Sequence, residues 1–207
     1  MNSINQMSIW VSFQLSAIFF VGLPLTLLIW AIKERNKVIK KLLISYWKIS
    51  ILFFISLILL VGELDFGLLI TNLAILLMII SMWFWKDINE ELREYKLWHP
   101  ITTTVKVWRW AHTFTSLNFI IRSLSNRTCL IEMNSLECIK WLEPSQKLFL
   151  VFKNLSTFLF GANLSKPVAL FLGLFALLIY ILGLIQFLVV KLPNNGRNSY
   201  FSNDDEY

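Results

Sequence analysis

Hydrophobic residues in this chain gather in five long segments that short polar stretches separate. Segments 9–32, 68–85 and 168–190 contain no charged residue, and segment 42–62 contains only Lys48. A helix needs about 20 apolar residues to cross the roughly 30 Å core of a bilayer, where lipid offers unpaired backbone groups no hydrogen-bond partner. These four segments therefore predict transmembrane helices, with the Lys48 ammonium reaching back to the interface.

The fifth segment, 101–121, is less regular. It contains Lys106, Arg109 and His112, so its uncharged run covers only residues 113–121. We predict that it also spans the bilayer. The fold class is then an all-α membrane protein with about five transmembrane helices in a single polytopic domain, residues 1–190.

The basic residues predict the orientation. The short loop between the first two spans holds one acidic residue, Glu34, and five basic ones: Lys33, Arg35, Lys37, Lys40 and Lys41. Lys and Arg are enriched in cytoplasmic loops, so we expect this loop in the cytoplasm and the N-terminus outside or lumenal. On this map 13 of the 19 Lys and Arg residues lie on or near the inner side and six lie in the outer loop 122–167. The polar tail 191–207 is predicted to be cytoplasmic and disordered.

Composition excludes an ordinary water-soluble domain. The chain is 57% hydrophobic and 15% charged, whereas soluble chains are about 45–50% apolar and about 25% charged. In a soluble protein, a net charge of +6 would suggest nucleic-acid binding. Here the Lys and Arg residues set the orientation of the chain in the membrane and contact lipid. The predicted partners are therefore the bilayer and other membrane-protein subunits, with no nucleic acid.

Two smaller features modify the span map. Pro24, close after Gly22, removes a backbone hydrogen bond near the middle of the first span and favours a kink, which shapes packing or makes room for a neighbour or a ligand. Residues 147–160 form an amphipathic pattern too short to span. This pattern predicts a short interfacial helix in the outer loop, with a re-entrant segment as the alternative.

Both cysteines, Cys129 and Cys138, fall in the outer loop. In an oxidising compartment a disulfide between them would close a short loop and stiffen it. Two thiols alone do not make a metal site, because no second Cys or His pair accompanies them.

Acidic residues follow the third span at the inner surface: Asp87, Glu90, Glu91 and Glu94. At helical spacing several of them share one face, which is also the pattern of a cation site. We favour a charge latch to the basic loop on the same side, formed by Lys33, Arg35, Lys37, Lys40 and Lys41, because no further ligand completes a coordination shell.

Lys106, Arg109 and His112 recur every three residues along the fourth span. Charges at membrane depth usually face protein, water or a partner, and three interpretations stay open. These residues touch anionic headgroups, face a polar cavity, or dock another subunit. His112 is also a weak candidate for axial ligation of haem or chlorophyll.

The sequence contains no catalytic motif: neither HExxH, nor GxSxG, nor a phosphate-binding glycine loop, nor a carboxylate pair within a span. We therefore predict a non-enzymatic protein, with no catalytic residue, no metal and no cofactor.

Several short motifs carry a family resemblance. They are FVGLPLTLLIWA in the first span, SYWKIS in the second, WFWKDINEE after the third, WRW in the fourth, KWLEP in the outer loop and VKLPNNGR after the last. Together they resemble the cyanobacterial membrane family known as domain of unknown function 3177. This resemblance implies a photosynthetic bacterial setting and a plasma or thylakoid membrane, and it supplies no catalytic residues.

Two classes of function follow. The first, which we favour, is a small scaffold, assembly factor or accessory subunit of a larger membrane complex, such as a photosynthetic or respiratory one. The second is a small-solute or ion transporter with a cavity lined by Lys106, Arg109 and His112. Five helices with few polar groups offer little pathway, so such a transporter would have to act as an oligomer.

Overall fold

In the computed structural model the described residues form an assembly of helices, with no strand among them. The structure describes residues 18–84, 89–90, 92, 100–125, 146–147, 149–151, 153–154, 157–158, 161, 165–186 and 189. A π-helical turn, Ile18–Gly22, leads into the first α-helix. The α-helices are α1 (Leu23–Lys33), α2 (Lys37–Val61), α3 (Gly67–Phe84), α4 (Pro100–Ser125) and α5 (Lys166–Gln186).

Three of the described helices, α2, α3 and α5, are long and apolar enough to cross a membrane. They coincide with the predicted spans 42–62, 68–85 and 168–190. The apolar stretch Ile18–Lys33 is shorter in its described part, and α4 is long but less apolar. The predicted count of five spans is therefore not confirmed, although every predicted span overlaps a helix.

The turn between α1 and α2 is shorter than the predicted basic loop. Asn36 caps α2, because its side-chain oxygen accepts a hydrogen bond from the Ile39 backbone N–H at 3.1 Å. As a result Lys37, Lys40 and Lys41 belong to the first turns of α2 and not to a loop.

α2 is the central helix of the assembly. It packs against α1, α3 and α5, while α4 packs against α3, α1 and the π-helical turn. Side chains from α1 to α4 form one apolar core in which Ala31, Leu43, Ala74, Met78 and Val105 are completely buried. Because α4 closes this core from the side of the π-helical turn, its inner face meets three chain segments at once.

α4 differs from a typical helix of a water-soluble protein. Its buried residues include five polar ones: Thr102, Arg109, His112, Ser116 and Ser123. Its exposed residues include six large apolar ones: Val107, Trp110, Phe114, Leu117, Ile121 and Leu124. Apolar side chains suit lipid, whereas polar groups at membrane depth face protein. This distribution explains why overall hydropathy is low in a helix that still presents an apolar exterior.

Glycine residues allow α5 to approach α2 closely. A Cβ atom on Gly62 would lie 2.7 Å from Leu170 Cβ and 2.9 Å from Leu170 Cα. A Cβ atom on Gly173 would lie 2.9 Å from Leu59 Cδ2. α5 therefore packs along a narrow face of small residues, and most of its other side chains are exposed.

Candidate functional site

Pro24 removes one main-chain donor from the first helical segment. Pro24 has no backbone N–H, so it donates neither to Phe20, four residues back, nor to Phe19, five residues back. The π-helical turn Ile18–Gly22 lies directly before it. Unpaired carbonyls in an apolar interior are costly, so donors from other helices are required.

Tyr46 of α2 and Trp108 of α4 supply these donors. The Tyr46 hydroxyl donates to the Phe20 carbonyl oxygen at 2.7 Å, and the Trp108 indole N–H donates to the Phe19 carbonyl oxygen at 2.8 Å. The two rings meet edge to face with centroids 5.2 Å apart. These bonds tie the π-helical turn to both neighbouring helices.

His112 extends this arrangement into α4. Its ring is completely buried and stacks on the Phe20 ring with centroids 4.3 Å apart. Nε2 lies 3.2 Å from the Tyr46 hydroxyl oxygen, and Nδ1 lies 3.2 Å from the Ser116 hydroxyl oxygen. Both ring nitrogens thus have partners within the protein, so an external ligand would have to displace Tyr46 or Ser116.

The direction of each hydrogen bond follows from the number of available protons. The Tyr46 hydroxyl proton goes to the Phe20 carbonyl, so towards His112 the Tyr46 oxygen can only accept. Nε2 must then carry the ring proton, and Nδ1 accepts from the Ser116 hydroxyl. The result is a chain of donors from Ser116 through His112 and Tyr46 to the Phe20 carbonyl, which we name the His112 relay.

A Ser–His contact also occurs in nucleophilic catalysis, but burial weighs against that use here. Ser116 and His112 are both completely buried, and a nucleophile needs substrate within reach. In the part of the chain that the structure describes, no group of three or more His, Cys, Asp or Glu residues could hold a metal ion. The hydrogen bonds and ring contacts of the His112 relay join the π-helical turn to α2 and α4.

Arg109 forms a second polar centre, at the end of α3. Its Nη2 donates to the Met82 carbonyl oxygen and to Asn89 Oδ1, and Asn89 Nδ2 donates to the Trp83 carbonyl oxygen. The guanidinium carbon also lies 4.3 Å from the centroid of the Trp83 ring. Arg109 and Asn89 therefore donate to two main-chain carbonyl oxygens in the last turn of α3, those of Met82 and Trp83.

The structure separates the members of the predicted polar face. Arg109 and His112 are buried but have different partners, and Lys106 is half-buried. Glu90 of the predicted charge latch is exposed, while Asp87, Glu91 and Glu94 lie outside the described residues, so the latch stays a prediction. Cys129 and Cys138 also lie outside the described residues, as do residues 191–207.

Sequence reasoning missed the partners of these residues. Tyr46, Ser116 and Asn89 were not singled out from the sequence. The missing N–H of Pro24 was one signal in the sequence, because a carbonyl oxygen four or five residues earlier then needs a hydrogen-bond donor from elsewhere. This signal does not indicate which helix provides the donor.

Nearly the whole chain matches one family model. Residues 6–200 match the model of the family described as protein of unknown function (DUF3177). The chain belongs to this family. The family resemblance of the short sequence motifs is thereby confirmed. A search of curated proteins and a search of solved structures each found no match.

Proposed function

We propose that this chain is a non-enzymatic, polytopic membrane protein that acts as a scaffold, assembly factor or accessory subunit of a larger membrane complex. The observation that carries this proposal is the contrast between the two polar centres and α5. The polar groups around His112 and Arg109 are engaged inside the assembly. α5 is apolar and remains largely exposed, so it offers a long surface for lipid or for another subunit.

α5 contacts the core along one face only. Its buried residues are Ala169 and Gly173, and Leu177 and Tyr180 are partly buried against the core. The remaining apolar side chains include Phe171 and Phe175, which stack on each other with centroids 6.4 Å apart. A subunit that binds a membrane partner through this face would not need to disturb the His112 relay.

The proposed topology has five spans, with the N-terminus outside or lumenal and the tail in the cytoplasm. An ion pair between Glu63, just after α2, and Lys166, at the start of α5, supports it. The five-span map assigns both residues to the outer side. The helical residues within 147–160 expose Leu150, Val151 and Phe158, which supports an interfacial helix there. The proposed site is a plasma or thylakoid membrane.

Mild solubilisation followed by a native gel and mass spectrometry tests the function. We expect the chain to comigrate with a larger complex. Replacing Phe171 and Phe175 together by Ala should weaken that comigration, whereas Phe114→Ala, at a site on α4 that is even more exposed, should not. A discrete homo-oligomer without other subunits would contradict the proposal and favour the transporter.

The transporter is supported less well. It requires Lys106, Arg109 and His112 to line an open cavity, but Arg109 and His112 are 4% and 0% exposed and are bonded to neighbouring helices. Solute uptake by proteoliposomes containing the purified chain would reverse this preference.

A further inference from the structure

Arg109 is a buried cation whose described partners are all neutral. Its acceptors are a main-chain carbonyl and the Asn89 amide, and the third contact is the Trp83 ring. Its Nε is buried and has no hydrogen-bond partner. Among the described residues no carboxylate is paired with it.

Within the described part of the chain, this arrangement leaves the Arg109 charge without an opposite charge. Moving an ion out of water is costly, and neutral acceptors offset only part of that cost. Lys106 precedes Arg109 by one helical turn, so the two side chains start from the same side of α4. Lys106 is half-buried, and it therefore offers the accessible part of a site whose inner charge is Arg109.

Aromatic residues indicate the depth of this site in the membrane. The Trp83 and Trp110 rings lie 5.1 Å apart beside Arg109, and Trp110 is 67% exposed. Exposed Trp side chains prefer the level of the lipid headgroups. The anions available at that level are lipid phosphates, and basic pockets between helices on the cytoplasmic side bind anionic headgroups.

We propose that Lys106 binds the phosphate group of an anionic phospholipid at the inner ends of α3 and α4, with the buried charge of Arg109 behind it. The Lys106 ammonium is the accessible group, and the Arg109 guanidinium, 4% exposed, attracts the same anion from within the assembly. The acyl chains would lie along the exposed apolar face of α4, where Val107 and Phe114 follow. This inference rests on the membrane location and orientation proposed above but not on the scaffold role.

The test uses the purified full-length chain in mild detergent. Native mass spectrometry and thermal unfolding are measured after adding phosphatidylglycerol, phosphatidylcholine or inorganic phosphate. We expect phosphatidylglycerol to be retained and to raise the Tm, with no such effect of phosphatidylcholine and only a weak one of inorganic phosphate. One basic residue near a membrane surface strengthens the binding of anionic lipid roughly fivefold. Lys106→Gln should therefore weaken the retention of phosphatidylglycerol by about that factor.

Matched variants separate binding from folding. Arg109→Gln should abolish the preference for phosphatidylglycerol, while Arg122→Gln, exposed near the other end of α4, should leave it unchanged. If Arg109→Gln does not fold, Lys106→Gln decides the matter, since that side chain caps no helix. Three results would each overturn the lipid site. They are equal retention of the two lipids, equal retention of phosphatidylglycerol by Lys106→Gln and the unsubstituted chain, and a Tm rise with inorganic phosphate equal to that with phosphatidylglycerol. These results do not depend on the native-gel experiment, so the two proposals fail separately.

Discussion

The Tyr46 hydroxyl donates a hydrogen bond to the Phe20 carbonyl oxygen at 2.7 Å, although the two residues are 26 positions apart in the chain. Phe20 is the residue to which an N–H at position 24 would donate in a regular α-helix. Tyr46 thus replaces a main-chain donor that proline removes. The first helical segment depends on α2 for a hydrogen bond that most helices provide themselves.

Replacing Tyr46 by Phe should destabilise the protein by about 1–3 kcal/mol, because it leaves the buried Phe20 carbonyl without a donor and His112 Nε2 without an acceptor. The aromatic ring, and with it the packing, is retained. Reversible unfolding in detergent measures the change. Ser56→Ala is the control, because that buried hydroxyl bonds only to Phe53 of its own helix, and it should cost less. Equal costs for both variants would contradict the special role of Tyr46.

A double-mutant cycle tests the proline directly. Pro24→Ala restores an N–H that can donate to Phe20 or Phe19, so Tyr46→Phe should cost less in the Pro24→Ala protein than in the original one. The expected coupling is about 1 kcal/mol, the typical net value of one hydrogen bond. Unfolding free energies of the four proteins give this coupling. Additive effects would show that Tyr46 does not compensate for Pro24.

The His112 relay predicts one tautomer. Since Tyr46 gives its proton to Phe20, His112 must be protonated on Nε2 and must accept from Ser116 on Nδ1. Nitrogen-15 NMR of histidine-labelled protein distinguishes the two neutral tautomers. His99 is the only other histidine in the sequence, so His99→Gln assigns the signals. A proton on Nδ1 would reverse the relay and contradict the proposed direction.

Hydrophobic segments predicted the existence of the helices because lipid-spanning length and apolar content are local properties of the sequence. α2 begins five residues before the predicted span 42–62, because Asn36 caps the helix and the basic residues Lys37, Lys40 and Lys41 belong to it. The pairing of Tyr46 with Phe20 could not be predicted, since it depends on how α1 and α2 pack. The partners of Arg109 and His112 could not be predicted either, because they depend on where α3, α2 and the π-helical turn lie relative to α4.

Close packing of α5 on α2 makes a prediction about glycine. Gly62→Ala would place a Cβ within 2.9 Å of a backbone atom of Leu170, so α5 would have to move away from α2, and the Tm should fall. Gly183→Ala is the matched control, because nothing lies within 4 Å of its Cβ position. Alanine favours a helix by about 1 kcal/mol over glycine, so this control should raise the Tm. A similar response of both variants would contradict the close approach.

The turns that follow α1 and α2 each contain a non-glycine residue with positive φ. Arg35 has a φ of 54° and Glu63 a φ of 58°, a conformation that costs L-residues other than Gly about 1–2 kcal/mol. Arg35→Gly should therefore stabilise the protein by up to that amount. Glu63→Gly relieves the same strain but removes the ion pair with Lys166, so its gain should be smaller. Unfolding free energies in detergent compare the two variants. A larger gain for Glu63→Gly would mean that the ion pair does not help to hold the start of α5 against this turn.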